Sequence, residues 1–97
     1  MDELDPIIHQ PARLQIMSAL SQLPDGLRVD FTYLKDLFKL TDGNLGAHLT
    51  TLETAGYIQV MKEFVVRKPK TFFAATPAGR KAFAGHVAAL QAILNPK

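Results

Sequence analysis

Residues 41–58 read TDGNLGAHLTTLETAGYI, and their spacing decides the fold. Leu45, Leu49 and Leu52, with Ala55 after them, recur at three- and four-residue steps, the period of one face of an amphipathic helix. Thr41 or Asp42 can cap its start, and Gly56 stands where a helix end commonly turns left-handed. The opposite face is Asn44, Ala47, His48 and Thr51, flanked by Gly43 and Thr50, and it carries no Lys or Arg. Two glycines, Gly43 and Gly46, occupy the first turns, although each costs ~1 kcal/mol against alanine in a helix interior. Either something must approach this backbone closely, or Gly43 belongs to the preceding turn and packing tolerates Gly46.

Working toward the N-terminus, FTYLKDLFKL (31–40) predicts a helix capped by Asp30, with Phe31, Leu34, Leu37 and Phe38 facing inward. Only a tight turn separates it from the opening stretch. Leu27 to Asp30 alternates as a minor strand, and Pro24, Asp25 and Gly26 form the turn before it. PARLQIMSALSQL (11–23) is a helix opened by Pro11, its stripe formed by Leu14, Met17 and Leu20 with Ile16, Ala19 and Leu23. Leu4 to Gln10 reads as a short helix or an extended arm.

Toward the C-terminus the period changes to two. YIQVMKEFVV (57–66) predicts a strand with an irregularity near Phe64 to Val66, RKPK (67–70) a turn built around Pro69, and TFFAAT (71–76) a second strand. Together they form a hairpin with a basic tip. Thr76 followed by Pro77 starts a last helix, which runs to about Leu94. Phe83, Val87, Leu90 and Leu94 form its stripe, widened by Ala78, Ala82, Ala89 and Ile93.

Ninety-seven residues with 47% apolar content suit one small globular domain, with its core at about 11–76. No apolar run approaches the ~20 residues of a membrane span, and the acidic start MDELDPIIHQ lacks the basic opening of a signal peptide. With no cysteine, disulfides and thiolate metal sites are excluded, and a cytoplasmic protein is the expectation. The net charge of +2 is unevenly spread: residues 1–59 hold four Lys/Arg against eight Asp/Glu, and residues 60–81 hold six against one. That basic cluster is either a site for an anionic partner or a solvated edge.

Helix, helix, tight turn, helix, hairpin, helix is the element order of a winged helix-turn-helix, an α+β fold that is mostly α. LGAHLTTLETAGYI (45–58) resembles the recognition-helix signature of MarR- and ArsR-like winged-helix regulators of bacteria and archaea, in which apolar-x-x-H-L-x-x-L-E-x-A-G-apolar is common. VVRKPKTFFAATPAGRKAF (65–83) is similar to their wing followed by a T-x-x-G-R-x-x-F helix start. The match is closest to the small winged helix DNA-binding domain regulators and spans roughly residues 11–94. The resemblance implies a homodimeric, sequence-specific regulator of transcription on duplex DNA at a pseudo-palindromic site, acting by operator occupancy. On that reading Asp42, Gly43, Asn44, Ala47, His48 and Thr51 lie at the major groove, and Arg67, Lys68 and Lys70 are the wing contacts. The terminal segments 1–10 and 77–94 are expected at the dimer interface, with Phe83, Val87, Leu90 and Leu94 as its contacts. Relatives often carry Arg or Lys on the exposed face of the recognition helix; this chain does not.

A second reading is a winged-helix protein-interaction module, since a neutral recognition face suits a protein partner; an architectural or RNA-binding role is a third. Lys35 and Lys39 fit phosphates or plain solvent, and Arg13 and Arg28 have weaker cases. Phe72–Phe73 and Tyr57 read as packed. His9 and His86 lack ligand spacing, and Asp2, Glu3 and Asp5 with Ser18 and Ser21 form no catalytic constellation. The expectation is a non-enzyme without metal or cofactor; no effector is legible.

Overall fold

The computed structural model describes residues 3–96; Asp2 lies outside them. In chain order the elements are α1 (Pro11–Ser21), β1 (Val29–Asp30), α2 (Phe31–Phe38), α3 (Asp42–Thr54), β2 (Ile58–Val65), β3 (Lys68–Ala75) and α4 (Pro77–Leu94). The sheet runs β1-β3-β2 and is antiparallel throughout.

All four helices begin with the same device: at α1, Gln10 Oε1 accepts from Arg13 N at 3.0 Å. Asp30 Oδ1 accepts from Tyr33 N at 2.8 Å, Thr41 Oγ1 from Asn44 N at 3.1 Å, and Thr76 Oγ1 from Gly79 N at 2.9 Å. Each satisfies an amide that the first helical turn leaves without a partner, a contribution of about 1 kcal/mol. Lys39 ends α2 in the left-handed conformation (φ 53°). Leu40 then leads directly to the Thr41 cap, so α2 and α3 form the tight helix-turn-helix. Gly56 (φ +80°) turns the chain from α3 into β2.

Ile16, Met17 and Leu20 of α1, Leu34 of α2, Leu45, Leu49 and Leu52 of α3, Ile58 of β2 and Phe73 of β3 form one buried cluster. Two inward assignments are corrected. Leu37 is 49% exposed, because Leu34 alone of that helix reaches the centre; Ala55 is exposed because α3 ends at Thr54. Arg80 joins α4 to α1, its guanidinium donating to Ser21 O at 2.7 Å and Leu23 O at 3.0 Å, carbonyls at and beyond the end of α1.

The segment before α1 is a turn rather than a helix. Asp5 Oδ1 accepts from Ile7 N at 2.8 Å and Ile8 N at 3.2 Å, and His9 N donates to Asp5 O at 2.8 Å. Those bonds close a single turn and drive Ile8 fully into the core of its own domain. The same carboxylate accepts from the Tyr57 hydroxyl at 2.5 Å, and Asp5 N donates to His86 Nδ1 at 2.9 Å. With Nδ1 accepting, the other nitrogen of the fully buried His86 carries the proton and faces His9 Nδ1 at 3.3 Å. The two histidines that sequence spacing keeps apart thus meet, tying the N-terminal turn to α4.

Candidate nucleic-acid interface

Helix α3 buries Leu45, Leu49 and Leu52 and turns Asp42, Gly43, Asn44, Ala47 and Thr50 to solvent; His48 and Thr51 are half-buried beside them. Asn44, Ala47, His48 and Thr51 therefore share one side of the helix, with Gly43 at its edge and Asp42 at its N-terminal end toward α2; Asp42, His48 and Thr51 are held by neighbours. The Asp42 carboxylate takes the Lys35 ammonium at 2.7 Å, and this hydrogen bond raises the Lys35 pKa. The pair links α2 to the start of α3 at the surface and offsets the Asp42 charge at the helix N-terminus. Thr51 Oγ1 donates to Ala47 O at 3.1 Å. Arg13 of α1 donates from Nε to Ile7 O at 2.6 Å and places Nη1 3.2 Å from His48 Nδ1. Burial first, and the Arg13 charge second, lower the His48 pKa.

The glycines sit in open space. A Cβ added at Gly43 or Gly46 meets nothing within 4 Å. The fold itself therefore gives no packing reason for either; Gly43 faces solvent, and Gly46 opens onto the cleft between α3 and the sheet.

The wing differs from its expected form. Its turn is the pair Val66–Arg67, both left-handed (φ 51° and 65°), so the RKPK turn around Pro69 is corrected. Left-handed residues at both central positions make the two-residue hairpin turn whose twist matches the strands. Pro69 instead lies in β3 opposite Phe64, beyond the short β1, which pairs only Phe72 and Phe73. One edge of β3 is open there, so its missing N–H costs little. The tip is basic, as expected, but also apolar: Phe64 is 80% and Val66 89% exposed among the exposed Arg67, Lys68 and Lys70. Lys70 reaches back to Asp30 at 3.5 Å, while Arg67 and Lys68 make no ion pair among the described residues. Between α3 and the sheet lies a cleft of about 300 Å³, lined by Gly46, Thr50 and Glu53 on one side and Lys62 and Thr71 on the other.

The remaining basic residues take other roles. Arg28 forks onto Glu63, with Nη2 2.7 Å from Oε1, and stacks 4.3 Å over the Phe72 ring, so this half of the Phe72–Phe73 pair lies on the outer face of the sheet. Lys39 is exposed at the end of α2. Of the expected dimer contacts, Phe83 packs on the core, Val87 and Leu90 are half-buried, and Leu94 is 72% exposed beside Ile93. Among the described residues no group of three or more His, Asp or Glu could hold a metal ion, and no helix is long and apolar enough to cross a membrane.

Comparison with known proteins identifies this arrangement. A family described as winged helix DNA-binding domain matches residues 12–94. The chain belongs to that family. This winged helix domain is 35% identical over 81 residues to an uncharacterized protein of Methanocaldococcus jannaschii, covering 84% of this chain and 85% of the other. Its structure is similar to that of a transcriptional regulator homologue from Pyrococcus horikoshii OT3, with a TM-score of 0.81, 27% identity, and coverage of 92% and 85% of the two chains. HlyU from Vibrio cholerae N16961 shares the fold at a TM-score of 0.65 and 18% identity, over 94% of this chain and 86% of that one.

Sequence reading missed the side chains that set the site: Lys35 on Asp42, Arg13 on His48, Lys70 on Asp30. The first lies seven residues from its partner across a foreseeable turn. The other two span 35 and 40 residues and have no local signature.

Proposed function

We propose that this winged helix domain is a sequence-specific regulator of transcription that binds duplex DNA as a homodimer and represses by occupying its operator. Helix α3 enters the major groove, with Asn44, His48 and Thr51 toward base edges and Ala47, Gly43 and Gly46 permitting close approach. Arg67 and Lys68 bring the wing to the neighbouring backbone, where cations release condensed counterions. The observation that carries this reading is the two-sidedness of α3: its apolar side is fully engaged, while its small polar side is exposed and bears Gly43, which no neighbour requires. The description of the Pyrococcus horikoshii relative as a transcriptional regulator homologue supports it.

Dimerisation rests on the far end of α4, where Ile93 and Leu94 are 59% and 72% exposed. A two-fold dimer would set two α3 helices about one DNA turn, ~34 Å, apart on a pseudo-palindrome. The test is fluorescence anisotropy on the gene's own upstream region and on an unrelated duplex of equal length, across salt. The expected result is tighter binding to the former, with a log–log salt slope of about −0.9 per phosphate contact. Lys68→Ala should reduce that slope by about one contact on both duplexes.

The neutral α3 face and the apolar wing tip, Phe64 and Val66, favour one competitor, a protein-docking module. Absence of binding to either duplex at low salt would select it.

A further inference from the structure

His48 is held at one nitrogen and open at the other. Its Nδ1 lies 3.2 Å from Arg13 Nη1, and a guanidinium offers only N–H donors. Nδ1 must therefore hold the lone pair, which puts the ring proton on Nε2. A doubly protonated ring would set N–H against N–H beside a fixed cation. Arg13 is itself anchored, since its Nε donates to Ile7 O at 2.6 Å. Nε2 of His48 has no hydrogen-bond partner among the described residues, and the ring is only half-buried, between Asn44 one turn before it and Thr51 one turn after. What His48 shows outside the chain is thus a single donor of fixed direction.

In the major groove a lone donor is selective. Guanine presents two adjacent acceptors, N7 and O6, and no donor on its own edge; adenine sets an amino donor beside N7, cytosine presents an amino donor, and thymine sets a methyl group beside O4. We propose that Arg13 is a positioning residue that locks His48 in its Nε2–H tautomer, and that His48 so held is a donor-only reader selecting guanine in each half-site. This rests on the DNA-binding reading above and deepens it. Arg13 touches no base; it determines which one His48 accepts.

Two measurements test it. Long-range ¹H–¹⁵N NMR of the free protein at pH 7.5 reads the tautomer without any DNA. Selection from a randomised duplex pool reads base preference for the wild type, Arg13→Gln, Arg13→Lys and His48→Gln. The expected wild-type result is an Nε2–H ring and a motif with a fixed guanine. Arg13→Gln should give mixed tautomers and lower the guanine preference, read as the ratio of selected to unrelated duplex, about fivefold. Arg13→Lys, which keeps a donor on Nδ1, should retain most of the preference. His48→Gln, which offers donor and acceptor together, should move the preference toward adenine. An Nδ1–H or doubly protonated His48 in the wild type overturns the proposal, as does an unchanged guanine preference in either Arg13→Gln or His48→Gln. A wild-type pool that enriches no motif overturns sequence-specific DNA binding itself, and this proposal with it.

Discussion

Two glycine-to-alanine changes should shift stability in opposite directions. At Gly79 an added Cβ would lie 2.0 Å from Tyr57 O and 2.8 Å from its carbonyl carbon. These are backbone atoms, so no side chain can rotate away, and α4 must retreat by well over 1 Å to reach ordinary contact. Overpacking of this kind costs ~1–3 kcal/mol. The retreat also stretches the bond from Thr76 N to Tyr57 O, now 3.1 Å, whose net contribution is ~1 kcal/mol. Helix propensity returns up to ~1 kcal/mol. Gly79→Ala should therefore destabilise by about 2 kcal/mol, or roughly 10 °C in Tm for a chain of this size. Gly46→Ala gains the same propensity with nothing within 4 Å to oppose it, and should stabilise by ~0.5–1 kcal/mol. Urea denaturation followed by far-UV circular dichroism gives both values from the midpoints, provided the slopes are unchanged. A Gly79→Ala protein as stable as wild type would refute the reasoning about close approach. If Gly46 serves the interface, its alanine variant should be more stable yet bind DNA more weakly; unchanged affinity would return that glycine to an incidental role.

Three further outcomes are expected. Val66 holds φ 51°, a conformation costly for a β-branched residue, so Val66→Asn should slow amide exchange in the β2–β3 hairpin by up to about tenfold; unchanged exchange would count against strain at the tip. Ile93→Ser with Leu94→Ser should turn a dimer into a monomer in sedimentation at micromolar concentration, and a wild-type monomer under those conditions would remove the dimer from the proposal. Burial and the neighbouring His9 lower the His86 pKa against an opposing effect of Asp5, and burial and Arg13 lower that of His48. The unfolded chain then takes up protons before the folded one, so stability is full above the ordinary histidine value of 6.5 and falls as pH drops below it. A urea midpoint equal at pH 7.5 and 5.5 would contradict this.

Much of this fold was legible because its chemistry is local. Asp30, Thr41 and Thr76 cap helices through bonds three residues long, and a capping hydroxyl ahead of a proline or an apolar stripe can be read directly. The wing turn was not legible, because its two left-handed residues are Val66 and Arg67, types that usually avoid that conformation, while the turn-like RKPK lies next to it. Nor was the N-terminal turn: Pro6 suits the first turn of a helix, but the Asp5 side chain competes for the amides that would continue one. On the interface, the periodicity of Leu45, Leu49 and Leu52 identified which side of α3 faces out. It could not identify what holds that side in place, since Arg13 and His48 meet only after α1 has packed on α3.

Asp5 ends up as the meeting point of its own N-terminal turn and two distant parts of the chain. Its carboxylate holds the N-terminal turn and the Tyr57 phenol, whose pKa that hydrogen bond pushes up to about 12; its amide holds His86. These partners lie 52 and 81 residues onward. Residues 5–9 therefore leave the ribosome before everything they bind. Loop closures this long cost more entropy than the local helices and the hairpin, so the expectation is that they form late. The strap is then a latch closed on a body already assembled. Asp5→Asn should speed unfolding while leaving the folding arm of a chevron in place.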